Sequence, residues 1–244
     1  MRKKDLREKD DAVSPVIALM LILAILATCM AVYTTTYVPG LKQQDEITHT
    51  GEVKLAFMRF ASDIDNVIAQ GKPAVYTEVL ELGGGDVPLS PTKSSGTIEI
   101  NTSKIGTYQT GSETKDLNGI AVTYTPSFTA WEKQGYVYQN GVVWITKDEK
   151  KTPAQLTLYT VSDGEDREKD VLQNWYPASA DTVIIPQFTV DENKTEITGT
   201  STAKLRLNAT LSDLVTGPVS ITLSNGSPQT YSNIRWLNIE VSVE

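Results

Sequence analysis

Few side chains in this sequence could take part in chemistry, and their spacing limits what that chemistry could be. The single histidine, His49, has no cysteine, Asp-x-His or His-Glu-x-x-His pattern around it, so it reads as a solvated helix residue. Asp63 and Asp65 are two residues apart, a spacing that keeps them from sharing a helix face, and both read as solvated. The charged run from Ser162 to Asp170 could supply oxygen ligands to calcium, but it lacks the Asp-x-Asp-x-Asp-Gly spacing of a dedicated loop. Gly83-Gly84-Gly85 resembles a phosphate loop only superficially, since neither Lys-Ser nor Lys-Thr nor a helix follows, and it reads as a flexible turn. Trp131, Trp144, Trp175 and Trp236 could form a sugar-binding face, although such residues more commonly fill a β core. Cys29 is the only cysteine, so no disulfide framework exists. No catalytic constellation is assembled, and the expectation is a protein that is not an enzyme and carries no cofactor and no metal.

Modification is the chemistry the sequence does offer. Asn101-Thr-Ser, Asn193-Lys-Thr, Asn208-Ala-Thr and Asn225-Gly-Ser are acceptor triplets, and at least one is expected to carry a glycan if the body lies outside the membrane.

The element that must position everything else is the stretch from Ala12 to Leu41, which contains no formally charged residue. Val16 to Ala27 is apolar on every face, and a helix without a polar side must be buried all round, in lipid or among other helices. The run exceeds the ~20 apolar residues that cross a bilayer. A secretory signal has a shorter apolar core followed by a small-residue cleavage site, and Tyr33 to Tyr37 offer none. The basic residues near Met1 favour a cytoplasmic amino terminus, which places everything after Leu41 outside. Ser14-Pro15 is expected to open the helix, Tyr33 and Tyr37 to sit at the far interface, and Pro39-Gly40 to interrupt or kink it. The chain carries a formal net charge of −8, which repels phosphate and argues against a nucleic-acid partner.

Asp10-Asp-Ala-Val-Ser-Pro-Val-Ile17 followed by Ala18-Leu-Met-Leu-Ile-Leu-Ala24 resembles the N-terminal segment of archaeal type IV pilins, in which a charged leader, a small residue, Ser-Pro and an apolar helix occur in that order. The resemblance covers roughly thirty residues. It implies that a prepilin peptidase cuts between Ala12 and Val13, with Asp11 and Ala12 before the cut and Val13 and Ser14 after it, or else at the bond after Asp11. It also implies retention of the helix, contacts with other pilin subunits and with the pilus assembly machinery, and a filament at the cell surface. Ile17 stands where bacterial type IV pilins usually carry a glutamate, so the bacterial register mechanism is not carried over. Pro15 and the small residues Ala18, Ala24, Ala27 and Ala31 would support close helix packing.

Beyond the span, Val53, Phe57, Phe60, Ile64 and Val67 recur at steps of four and three, which predicts an amphipathic helix laid on a domain and ended by Gly71-Lys-Pro73. The remainder reads as short strands and turns with no further helix. The expected strands are 75–80, 97–100, 120–124, 136–139, 142–146, 156–161, 182–185, 204–207, 219–223 and 236–243, and Asn140-Gly141 is the clearest hairpin turn. The expected plan is therefore α+β: a leader (1–12), a filament-core helix (13–41), a docking helix (42–71) and an extracellular β sandwich or roll (72–244), with a weaker break near Ala154. Two functions fit: a major or minor pilin of an adhesive filament, or a single-span anchored binding protein that never polymerises.

Overall fold

The computed structural model describes residues 7–84, 87, 88, 90, 92–148, 150–154, 166–177, 182–224 and 226–244. One long helix at the amino end carries a β body at its far end, the α+β plan the sequence implies. It comprises α1 (Arg7–Val32), a π-helical stretch (Tyr33–Tyr37) and α2 (Val38–Gln70). Its part from Pro15 to Gln70 is 56 residues, about 84 Å at 1.5 Å per residue. Helix begins at Arg7 and runs through Ser14-Pro15, which therefore lies inside the helix and does not open it.

Pro39-Gly40 does not break the helix either. Proline lacks the N–H that an α-helix needs one turn back. Here the π-helical stretch lies just before it, the Val38 N–H reaches the Tyr33 carbonyl five residues back, and Pro39 becomes one of the first residues of α2. Gly71 ends α2 with φ 58°, a left-handed conformation that glycine adopts without strain.

The strands are β1 (Ala74–Glu81), β2 (Ser95–Thr110), β3 (Glu113–Ser127), β4 (Gly135–Gln139), β5 (Val142–Lys147), β6 (Lys150–Pro153), β7 (Thr182–Val190), β8 (Glu196–Gly199), β9 (Thr202–Leu211), β10 (Val215–Leu223) and β11 (Gln229–Val243). Among the described residues they form one sheet ordered β1-β9-β11-β10-β2-β3-β4-β5-β6, with β7 on β11 and β8 on β2. The long strands β2 and β11 each serve two partners along one edge, and β10 joins them. Every pairing is antiparallel except β7 with β11. Helix α2 packs on β1 at one end of the sheet and on β4 and β5 near the other, so the sheet curls around the helix. The two-residue turn between β4 and β5 has φ 46° at Asn140 and 87° at Gly141, the pair of positive angles a tight hairpin needs.

The core forms where these surfaces meet. Val53, Phe57, Phe60, Ile64 and Val67 are buried, as their spacing requires, with Phe60 edge-on to Tyr138 at 5.3 Å between ring centroids. The same buried cluster joins residues on both sides of Ala154, from Val143 to Val183 and Val243.

Four further expectations need correction. A third helix, α3 (Asp166–Trp175), occupies part of the charged run read as a polar segment, because Val171 and Trp175, four apart, bury themselves in the core. Asp65 is not solvated: burial pushes its carboxyl up to about 6, against the lowering effect of a hydrogen bond from Trp175, and Asp63 is raised by the same cause. Gly83 and Gly84 are packed and do not form a free turn, since a Cβ on Gly83 would lie 2.2 Å from the Ser94 carbonyl oxygen. His49, read as solvated, is buried. Of the tryptophans, Trp144 and Trp175 are buried, while Trp131 and Trp236 are half-buried. The strand expected at 156–161 lies outside the described residues.

Candidate functional site: an exposed apolar shaft on a polar neck

From Pro15 to Val32 every residue of the helix is exposed, including Met20 at 65% and Ile25 at 61%. A continuous apolar surface of this extent on a folded chain marks a membrane or protein contact. The helix is long and apolar enough to cross a membrane and is a candidate anchor. Ala24, Ala27 and Ala31 are spaced to share one side, where Thr28 also stands, its hydroxyl turned back to the Ala24 carbonyl at 2.8 Å. Ala18, six residues before Ala24, falls about 120° away and nearer the face of Pro15.

Where the shaft leaves α geometry, side chains repair the backbone. Thr34 Oγ1 donates to the Met30 carbonyl at 3.0 Å, and Thr35 Oγ1 donates to the Ala31 carbonyl at 2.7 Å. In an apolar medium these bonds matter, because a carbonyl left without a donor has no water to replace it. Tyr33 and Tyr37, one turn apart, stack at 6.2 Å between centroids.

Below the shaft the buried face of α2 becomes polar. Lys42, Glu46 and His49 continue the steps of four and three that later carry Val53 and Phe57, and all three are buried. Lys42 Nζ donates to Thr92 Oγ1 at 2.8 Å and Thr129 Oγ1 at 2.6 Å. Glu46 accepts from the Ser94 hydroxyl, from the Thr129 and Ala130 N–H groups at 2.9 Å each, and from the Thr129 hydroxyl at 3.3 Å. Burial alone would raise the Glu46 carboxyl, but these donors favour its charged form and hold it below the ordinary value. The neck is thus a carboxylate seated in a cradle of backbone and hydroxyl donors, locking α2 to the loops before β2 and after β3.

His49 comes next on that face. Tyr124 Oη donates to the Leu82 carbonyl at 3.0 Å, so the Tyr124 oxygen can accept only from the His49 Nε2–H, also at 3.0 Å. That chain assigns the proton to Nε2 and leaves a lone pair on Nδ1, which is buried without a hydrogen-bond partner. Burial holds the ring below the usual histidine value, against the opposing pull of Glu52, Glu81 and Asp45. A ring nitrogen of His49 and carboxylate oxygens of Glu52 and Glu81 lie within 4.8 Å of one another.

No family model, curated protein or solved structure matches the chain.

The residues Asp11, Ala12, Val13 and Ser14 lie on α1, one after another on helical backbone. Of the acceptor asparagines, Asn101 on β2 and Asn193 in a turn are exposed, Asn208 on β9 is half-buried and Asn225 lies outside the described residues. The Asn101 amide donates to Glu99 Oε1 at 2.7 Å. Hydropathy hides Lys42, Glu46 and His49 because they are polar, but their spacing carries the signal: they prolong the stripe toward the shaft without a break.

Proposed function

We propose that this chain is a structural subunit, a major or minor pilin, of a surface filament similar to archaeal type IV pili. It inserts as a single-span precursor with its amino terminus in the cytoplasm, loses its leader, and assembles with other subunits through the shaft, leaving the β body outside for adhesion. The observation that carries this reading is the exposure of the apolar helix over its whole length, with the body confined to its far end. A simple anchor needs length alone. The small side formed by Ala24, Ala27 and Ala31 supports close helix packing, which matters because transfer from lipid into a bundle of helices gains little hydrophobic energy. Removal of residues 1–12 would also leave Pro15 in the first helical turn, where its missing N–H needs no partner, whereas in the precursor it stands inside a helix.

The reading is tested by N-terminal sequencing of material sheared from cells, alongside a variant with Ala12→Lys and Val13→Glu. Sheared wild-type protein should begin at Val13, and the variant should stay in the membrane as full-length precursor. Mature protein found only in membranes and beginning at Met1 would favour a single-span anchored binding or adhesion protein, and normal filaments from the variant would refute the proposed cut.

A further inference from the structure

We infer that His49, Glu52 and Glu81 form a site for a divalent transition-metal ion, best suited to zinc, that ties α2 to the end of β1. The three ligand atoms lie within 4.8 Å of one another, and two of them come from exposed glutamates whose rotamers can contract onto an ion. His49 and Glu52 are three apart and therefore neighbours on α2, while Glu81 comes from the last position of β1.

The histidine gives this cluster its chemistry. Its Nδ1 carries a lone pair, is buried and has no hydrogen-bond partner, the condition of a ligand and not of a satisfied core residue. The opposite nitrogen is held by Tyr124, which is held in turn by the Leu82 carbonyl. A hydrogen bond of this kind on the far nitrogen is the usual support of a metal-bound imidazole, fixing both tautomer and ring orientation. One neutral imidazole with two carboxylates suits zinc better than calcium or magnesium, which favour all-oxygen sets. Beside the cluster a cavity of about 280 Å³, lined in part by Glu52, Leu55, Arg59 and Glu81, has room for water to complete the coordination. Gly84 contributes by having no side chain: a Cβ there would lie 3.0 Å from the His49 Cβ and 3.1 Å from an Asp45 carboxylate oxygen. Asp45, one turn before His49, adds negative charge on the same side. Such a clamp at the base of a stalk serves an anchored protein as well as a filament subunit.

The test uses the full chain in detergent micelles, stripped with EDTA and titrated with zinc chloride by calorimetry, with calcium chloride and magnesium chloride run in parallel. Zinc should bind one to one and raise the unfolding midpoint as its concentration rises. E52Q/E81Q, at exposed positions that leave the core untouched, should bind about 100-fold more weakly or worse, and Y124F about 10-fold more weakly. H49Q, with the same circular dichroism as the wild type, should lose the site as well. Absence of zinc binding in the wild type, equal binding by E52Q/E81Q, which would move the ion to Cys29 or the leader, or tighter binding of calcium than of zinc would each overturn the assignment.

Discussion

Replacing Glu46 with alanine should cost about 3–5 kcal/mol, and the neck shows why. The wild-type carboxylate accepts from Ser94, from the Thr129 and Ala130 amides and from the Thr129 hydroxyl. Hydrogen bonds to a charged group contribute about 1.5–3 kcal/mol each, and a buried donor left unmatched costs about 1–3 kcal/mol. The hydroxyls of Ser94 and Thr129 can rotate to other acceptors; the two backbone N–H groups cannot. Lys42, 4% exposed, keeps its own acceptors on Thr92 and Thr129, so the cost falls on the lost bonds to the carboxylate and on the two stranded amides. These losses overlap, so the expectation is the size of two stranded donors and not the sum of every bond. Glu46→Gln, which keeps an acceptor oxygen but turns an amide toward some donors, should cost about half as much. Urea unfolding of the full chain in micelles, followed by tryptophan fluorescence, gives the measurement. With a slope of about 2 kcal/mol per molar, the midpoint should fall by about 2 M at unchanged slope. A cost under about 1 kcal/mol for Glu46→Ala would refute the idea that the cradle fastens shaft to body.

Asp65 makes stability depend on pH in the opposite sense to a paired carboxylate. Its folded value of about 6 exceeds the ordinary 3.8, so the folded chain holds a proton that the unfolded chain releases. That contribution is complete below pH 3.8 and lost as pH climbs through 6, a change of about 3 kcal/mol by pH 7. Asp65→Asn should therefore stabilise the body at pH 7, match the wild type near pH 4 and flatten the curve between; denaturation curves that stay parallel from pH 4 to 7 would contradict this. Phe60→Ala, which empties a position 2% exposed and removes the edge-on contact with Tyr138, should cost about 3–5 kcal/mol, read as the same midpoint shift in urea.

The parts of the fold legible in the sequence were those written in hydrophobicity. The unrelieved apolar face of 16–27 and the stripe from Val53 to Val67 announce one exposed and one docked segment of helix, and alternation in Lys204–Leu207 and Ile239–Val243 announces strands with a wet side. What escaped was written in polar residues. Lys42, Glu46 and His49 obey the helical spacing of the stripe, but burying them requires Thr92, Ser94, Tyr124 and Thr129, which are 48 to 87 residues away in sequence and could not be paired with them in advance. Helix α3 was hidden for a related reason: only Val171, Leu172 and Trp175 anchor it, amid charges that otherwise describe a loop. The continuity of the helix past Pro39 depends on a local change of hydrogen-bond ladder at Tyr33–Tyr37, and no residue pattern announces a π-helical turn.

That change of ladder has a geometric consequence for whatever grips the shaft. A π-helical stretch acts like one extra residue wound into an α-helix, and one residue corresponds to about 100° of rotation. The compass bearing of the body relative to the alanine-lined side of the shaft is accordingly set at Tyr33–Tyr37, remote from both. Deleting a single residue there would swing the whole β body around its stalk like a flag turned on its pole, with each of its internal bonds intact.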